Sequence, residues 1–454
     1  MSRTSSPAPP GAAPALRPVH AWRDALATVA AALVTMWVVA TLGLWAAGAG
    51  ALPSGSFPRV VAATVVMAVG GSVELHGDAG FLAETDAAID VVPLSVTLAG
   101  ALVTSAAFLA PLRFRAVADS REMLGRVGRT AALWLLAMLL LALVARHTFR
   151  ISVGGGIIED IGEALGATPK VGFSAEIAPT MGFGLLWLLA VLAITFLVSH
   201  RAPLPSRLLR FQESVRPPAY AMLLVLLCYV LIALVIGLIT AITHGHPAET
   251  VAVLLLGLPN LAWMGLGIGM GGSWRGRVAE GIGLPMPRVL GDVLRVPGGG
   301  DATLDLGSLA EQDGRVWLLL PLAAVLLLAA GFLAAVHSPA RTKHWRHALH
   351  MALALGLTTL VIGLLTRVAA HYGLTVIGVG DLGEGLGGDV FLRADFLPLI
   401  GYGLLWGLVT GFLGSLMARR VRHRGAVTGD GPTGRDQPTG RDRPPGPDTG
   451  RGGP

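Results

Sequence analysis

Long apolar runs constrain this chain more than any other feature of its sequence. A hydrocarbon core of about 30 Å is crossed by roughly 20 residues of α-helix, and each run has about that length. Hydrophobic residues make up 53% of the 454 positions and charged residues only 14%, a balance that a water-soluble surface would not tolerate. We therefore predict an all-α, polytopic membrane helix bundle of about eight spans, near residues 25–47, 92–112, 130–146, 178–199, 219–243, 316–337, 348–366 and 396–417.

Two further apolar segments are too short to cross a bilayer. Residues 58–72 and 259–273 each begin with proline and end with Gly-Gly-Ser at the same separation. About 11 apolar residues lie between, which is roughly 17 Å of helix, or half a membrane. Proline suits the first turn of a helix, and the glycine pair marks a chain that turns. We expect two re-entrant half-helices that enter from outside.

The second of these segments has an alternative interpretation. The apolar sequence ETVAVLLLGL precedes Pro259, so residues 250–272 could form a full span. That topology would place the basic segment 338–347 and the RRVRHR sequence near the C-terminus outside the cell. The half-helix interpretation keeps both on the cytoplasmic side, where Lys and Arg accumulate.

Charge sorting predicts the orientation. Arginine clusters occupy the loops 113–129 and 200–218 and the C-terminal region, whereas most acids lie in the alternate loops. We predict a multi-pass protein of the cell membrane with both termini in the cytoplasm. The loop 273–315 departs from this pattern, because it carries five arginines on the predicted outer side. Arginines beside apolar runs act as orientation signals, so membrane lipids are the expected partners and nucleic acid is not.

The chain also matches itself. DIGEALG at 160–166 corresponds to DLGEGLG at 381–387, and EIAPTMGFGLLW from Glu176 corresponds to DFLPLIGYGLLW from Asp395. These matches predict two parallel internal repeats related by a pseudo-twofold axis along the membrane normal. The predicted division is a disordered tail at 1–18, repeats at 19–215 and 216–424, and a disordered tail at 425–454, where Gly, Pro, Thr, Asp and Arg alternate.

Interrupted segments at corresponding positions of two repeats are typical of a transport site, because half-helix ends present free backbone groups and dipole charge. Close packing of small residues between helices is the alternative. The candidate pathway residues in these segments are Pro58, Gly70, Gly71, Ser72, Pro259, Asn260, Gly271, Gly272 and Ser273.

Charged residues at corresponding positions extend this candidate site. Arg146 and Arg367 could attract an anion as a pair, or could simply reach the membrane interface. Glu176 and Asp395 each stand three residues before a proline, where an acid favours the positive end of a helix dipole. The acidic glycine loops offer a possible outer cation site, or a solvated loop, with the residues Asp160, Glu163, Asp381 and Glu384.

Familiar catalytic motifs are absent from the sequence. It contains no GxxxxGK[ST], HExxH, GxSxG or CxxC pattern, and Cys228 is its only cysteine. We predict no cofactor, no metal site and no catalytic residues.

The core from about 20 to 424 resembles the streptophobe family, very hydrophobic multi-pass proteins of Streptomyces and relatives. The resemblance rests on the Arg-rich, Lys-poor hydrophobic character and on the paired spans that carry GLLW. It implies a membrane location and an actinobacterial source, and it supplies no substrate. Three hypotheses follow from the sequence: a secondary transporter or channel-like permease for a small solute or ion, with its pathway between the repeats; a membrane-embedded enzyme acting on lipid or envelope precursors; and a non-catalytic envelope scaffold.

Overall fold

The protein is described by a computed structural model that covers residues 18–52, 55–78, 83–111, 120–150, 170–199, 206–243, 245, 247–278, 293–294, 300–338, 343–376, 380–381 and 388–426. The helices are α1 (Pro18–Ala46), α2 (Phe57–Ala68), α3 (Leu94–Leu109), α4 (Ser120–Val144), α5 (Ile177–Val198), α6 (Ser206–Thr243), α7 (Pro247–Gly269), α8 (Leu306–Gln312), α9 (Leu319–His337), α10 (His344–Leu365) and α11 (Phe396–Ala426). The strands are β1 (Val73–Asp78), β2 (Ala83–Val91), β3 (Arg146–Arg150), β4 (Lys170–Ala175), β5 (Trp274–Arg277), β6 (Ala302–Leu304), β7 (Val368–Val376), β8 (Gly380–Asp381) and β9 (Gly388–Ala394).

The structure confirms a helical multi-span membrane protein. Among the described residues, eight helices are long and apolar enough to cross a bilayer. Their outward faces are apolar, as lipid contact requires. Near the end of α6, for example, Ile239 is 56% exposed and Ile242 is 84% exposed. A protein surrounded by water would bury such side chains.

Two of the predicted helices differ from the observed ones. The predicted span at 92–112 is a helix of only 16 residues, α3, which is shorter than the eight candidate spans. The predicted half-helix at 259–273 does not begin at Pro259, because α7 starts at Pro247 and runs for 23 residues with Pro259 inside it. The first short segment agrees with its prediction, since α2 has 12 residues and Pro58 lies in its first turn.

An antiparallel sheet, which an all-α prediction did not include, lies at one end of the helices. The order of eight of its strands is β3-β4-β1-β2-β7-β9-β5-β6, and β8 pairs with β7. The first four strands come from the first half of the chain and the last four from the second. The two groups have the same internal order. Strand β3, which follows α4, corresponds to β7, which follows α10, and β4, β1 and β2 correspond to β9, β5 and β6. The groups meet where β2 pairs with β7 over nine residue pairs.

All helix ends that join strands share this side, which we call the sheet face. Helices α4 and α10 end there, α3, α5 and α11 begin there, and the turns after α2 and α7 lead to strands there. Opposite helix ends meet on the open face. At that face Arg216 of α6 donates to the carbonyl of Val198 at the end of α5 (3.2 Å), and Arg126 of α4 lies 4.0 Å from Asp24 of α1. Thus α1 and α6 begin at the open face, whereas the segments that follow α2 and α7 return the chain to the sheet face.

Hydrogen bonds join α7 to α3 near Pro259. The Ser95 hydroxyl donates to the carbonyl of Leu254 (2.9 Å) and accepts from the N–H of Leu258 (3.2 Å), which are one helical turn apart. Proline itself has no N–H to continue the ladder. A polar group inserted into the ladder beside a proline is a recognised cause of helix breaks. Helix α7 nevertheless runs from Pro247 to Gly269 as one α-helix, and its second half, from Pro259 to Gly269, is about as long as α2.

Asn260 holds the start of α3. Its Oδ1 accepts from the N–H of Leu94 (3.1 Å), and its Nδ2 donates to the carbonyl of Val92 (3.0 Å). Leu94 is fully buried. The amide thus satisfies two backbone groups at the seam between the halves of the chain.

Replacing Asn260 with alanine is expected to destabilise the protein by about 1 kcal/mol or more, because both backbone groups lose their partner in a buried site. The measurement is the melting temperature of the detergent-purified protein. Thr358→Ala serves as the control, since that hydroxyl bonds only to the carbonyl of Ala354 in its own helix. Equal melting temperatures for the two variants would show that the Asn260 contacts do not hold the seam.

Candidate functional site

Both short helical segments end in the same chain reversal. Gly70 follows α2 with φ +91°, and Gly271 follows α7 with φ +99°. A positive φ is favourable only for glycine. In each case the N–H of the next glycine donates to the carbonyl five residues earlier, at 3.0 Å and 2.9 Å, which is the pattern of a helix C-terminal cap. The Gly-Gly signal therefore predicted both reversals correctly.

Each reversal packs against the helix that follows the acid. Gly70 faces Phe183 of α5, and Gly271 faces Tyr402 of α11, whereas Gly71 and Gly272 are buried. Phe183 and Tyr402 each come seven residues after the acid at the helix start. At 1.5 Å per residue, the tips of the short segments reach about 10 Å in from the sheet face.

Neighbouring helices satisfy the carbonyl groups at these tips. Thr97 of α3 donates to the carbonyl of Ala68 at 2.6 Å. Trp406 of α11 donates its indole N–H to the carbonyl of Met270 at 3.1 Å. Such bonds are needed because a helix C-terminus leaves carbonyls without intrahelical partners.

A serine and an acid close each reversal. Ser72 donates to the carboxylate of Glu176 (2.6 Å), and Ser273 donates to that of Asp395 (2.9 Å). The acid backbone N–H groups bond back to the two serine carbonyls, at 3.3 Å and 3.0 Å. We name these the first junction and the second junction. Glu176 stands at the N-cap of α5, near the positive end of that helix dipole, and its carboxylate bonds to Ser72 in place of a backbone N–H of the helix.

The two junctions differ in charge. Arg275 binds Asp395 through Nε (2.7 Å) and Nη2 (2.5 Å), which neutralises the second junction. The residue two positions after the serine in the first junction is instead Glu74. Its carboxylate lies 3.4 Å from His76. Among the described residues, Glu176 has no cationic partner.

Arg146 and Arg367 do not form a pair. Arg146 begins β3, and Arg367 immediately precedes β7. Strands β4, β1 and β2 lie between β3 and β7, so the two arginines are separated by about 19 Å at the usual spacing of strands. The expectation that they attract an anion together is therefore wrong.

The predicted outer cation site is largely beyond the described ranges. Asp160, Glu163 and Glu384 lie outside them, and Asp381 is in β8, opposite Thr375 of β7. Within the described part of the chain, no group of three or more His, Cys, Asp and Glu side chains could hold a metal ion.

A cavity of about 450 Å³ opens beside the first junction, on the sheet face. Sequence reasoning selected only Arg146 among its residues. The others lie on different elements, so no local motif could have identified them. Its lining is basic and polar: Arg59, His76, Arg146, His147, Thr148, Gly172, Phe173 and Ser174.

His147 is the titratable centre of this cavity. A guanidinium N–H of Arg59 contacts its Nδ1 and lies 3.2 Å from its Nε2. Loss of contact with water lowers the pKa of His147, and the charge of Arg59 lowers this pKa further. His147 is thus neutral at neutral pH, and a neutral imidazole can accept a hydrogen bond from the guanidinium.

No family model, no curated protein and no solved structure matches this chain. Functional interpretation therefore depends on the geometry of the junctions and of the basic cavity.

Asp395→Asn is expected to lower the melting temperature by about 1–2 °C, because Arg275 loses its charged acceptor. The effect is modest because the Arg275 side chain is 65% exposed and water weakens the pair. Glu176→Gln is the matched variant, and it should melt within error of the parent because an amide oxygen still accepts from Ser72. Equal shifts for both substitutions would contradict the difference in charge between the junctions.

Proposed function

We propose that the protein is a secondary transporter or channel-like permease of the cytoplasmic membrane, built from two parallel repeats. The observation that carries the proposal is the pair of matched chain reversals, one after the short helix α2 and one after the proline-containing helix α7. Half-helices with this design line the substrate and ion sites of many transporters, because their ends present backbone dipoles within the membrane. The shared strand order of the two sheet halves supports the parallel repeats.

The sides on which helices begin and end support re-entry of α2 and α7. The pair α1–α2 runs from the open face to the sheet face, and so does the pair α6–α7. If both members of a pair crossed the membrane, they would return the chain to its starting side. Each pair therefore makes one net crossing. Because α2 and the second half of α7 are short, we assign the crossings to α1 and α6.

This assignment gives eight crossings and places both termini on one side. The eight are α1, α3, α4, α5, α6, α9, α10 and α11. Basic residues flank the helix ends on the open face, including Arg121 at the start of α4, Lys343 before α10 and Arg419 near the end of α11. The positive-inside rule then makes the open face cytoplasmic and the sheet face external.

We place the pathway beside α2, not at the seam between the repeats. At the seam, Asn260 and Ser95 bond to backbone groups, and Leu94 and Leu258 are buried. The first junction instead combines a carboxylate that lacks a cationic partner with the neighbouring basic cavity. An acid in that position can bind and release a coupling proton or another small cation, as ionisable groups within transporters do.

A non-catalytic envelope scaffold is the second candidate function. The continuous external sheet and the hydrogen-bonded seam favour it, because they form a broad rigid surface. A membrane-embedded enzyme has less support. Its acids would need to converge on one substrate, whereas Glu176 and Asp395 bind different serines in different halves. Membership of the streptophobe family stays a prediction, and it would add no substrate.

Cysteine accessibility in intact cells tests the re-entrant pathway. In a Cys228→Ser background, we expect Ser72→Cys to react with a membrane-impermeant maleimide added outside, because Ser72 immediately precedes β1 on the face assigned as external. Ser206→Cys, at the start of α6 on the open face, should not react and serves as the control.

A second measurement uses the purified parent protein and the purified Glu176→Gln variant, each reconstituted in liposomes. We compare the electrical currents that follow a step in the external concentration of a small anion. We expect the Glu176→Gln currents to be lost.

The outcomes separate the candidates. A protected Ser72→Cys together with an absence of current in the parent protein would remove the support for a permease and favour the scaffold. Labelling of Ser206→Cys from outside would instead reverse the assigned orientation.

A further inference from the structure

The cavity beside α2 is formed by residues far apart in the chain. Arg59 comes from the first turn of α2, His76 from β1, Arg146 and His147 from β3, and Ser174 from β4. Its volume of about 450 Å³ lies in the range of pockets that hold small molecules. The cavity is on the sheet face, beyond the ends of the membrane-spanning segments.

The charge of this cavity is strongly positive. Among the described residues, neither Arg59 nor Arg146 forms an ion pair, and no carboxylate lines the cavity. An acid on the same surface of the sheet as Arg146 is Glu74. Both residues pair with Ser174 of β4, Glu74 from β1 and Arg146 from β3. The Glu74 side chain is 42% exposed and lies beside His76. One exposed carboxylate does not balance two guanidinium groups.

Hydrogen-bond donors accompany this charge. Thr148 and Ser174 place hydroxyl groups in the lining, and the two arginines offer planar forks that match the oxygens of a phosphate group. We propose that the cavity binds a small solute that carries a phosphate-type oxyanion. The proposal that this solute is transported rests on the proposed function, whereas its binding does not.

The second half of the chain provides the contrast. The position that corresponds to Arg59 is Asn260, whose amide is committed to Val92 and Leu94. The position that corresponds to Arg146 is Arg367, which is equally exposed but does not line this cavity. The anion-binding chemistry is therefore a property of the first half alone.

Binding of inorganic phosphate and of sulfate to the purified full-length protein tests the proposal. Calorimetric titrations are made at constant ionic strength, with chloride as the reference anion, in nanodiscs of phosphatidylcholine. We expect saturable binding of phosphate and sulfate that chloride does not match. Arg146→Gln should weaken it by at least about tenfold, the usual cost of losing a charge-assisted bond. Because Arg146 is exposed, this substitution should leave the fold intact.

Two further variants guard against a general change in surface charge. Arg367→Gln removes the same charge at the corresponding position outside the cavity, and it should leave the affinity unchanged. Glu74→Gln removes the neighbouring carboxylate and should tighten binding. Equal losses for Arg146→Gln and Arg367→Gln, or no saturable binding by the parent protein, would overturn the proposal.

A second set of nanodiscs, which contain phosphatidylglycerol, distinguishes a lipid headgroup from a soluble solute as the source of the oxyanion. Competition by phosphatidylglycerol, with little affinity for free phosphate in phosphatidylcholine, would assign the cavity to a lipid headgroup. Tight binding of free phosphate without such competition would assign it to a soluble solute. Binding without any anion current in the liposomes would retain the site and reject transport.

Sulfate affinity is expected to rise as the pH falls, because a bound anion favours the protonated form of the cavity histidines. Arg59 contacts His147 directly, whereas Arg146, His76 and Glu74 occupy alternate positions, on the other surface of the sheet. The pKa of His147 is lowered in the free protein, so its contribution appears only as the pH falls through that lowered value. Sulfate is the appropriate probe because its own charge stays constant over this range. His147→Gln should flatten the pH profile, and an unaltered slope in that variant would exclude His147 as the proton acceptor.

Discussion

A helix that stops inside a bilayer leaves backbone groups that hydrocarbon cannot satisfy, and this requirement governs where the chain can reverse. In this protein the missing partners come from neighbouring helices. Thr97 caps the end of α2, and Trp406 caps the chain after α7. Ser95 bonds to both backbone groups of the turn before Pro259. The two reversals therefore depend on α3 and α11 as much as on their own glycines.

The sheet imposes the second constraint. Every strand lies on one face of the bundle, so the chain must return to that face after each excursion. The nine residue pairs between β2 and β7 also join the two halves into one surface. Rocking of one half against the other would break these pairs. Helix α2 is also fixed in place, because most of its residues are buried and Thr97 and Glu176 bond to the turn at its end.

The sequence allowed the membrane bundle, the chain reversals and the Ser–acid positions to be predicted, because each has a local signal. Apolar length marks the spans, and Gly-Gly marks the turns. The sheet was missed because strands such as AETDAAIDV are rich in acids, so they were assigned to the loops between spans. For α7 the sequence left two interpretations open, and the structure has the longer helix; the Ser95 contacts beside Pro259 come from more than 150 residues away, so no local signal could decide between them. The cavity was missed for the same reason, since Arg59 and His147 are 88 residues apart.

The difference in charge between the junctions argues that the two proposed repeats have different roles. Both halves keep the backbone reversal, so the reversal itself is a structural requirement. The second half places Arg275 against Asp395 and uses Asn260 for backbone bonding, which fixes the geometry and neutralises the site. The first half has Glu74 and Arg59 at the corresponding positions, and it leaves Glu176 without a cation beside a basic cavity. The same backbone reversal therefore carries a neutralised acid in the second half and, among the described residues, an acid without a cationic partner in the first, which is why we place the proposed site in the first half.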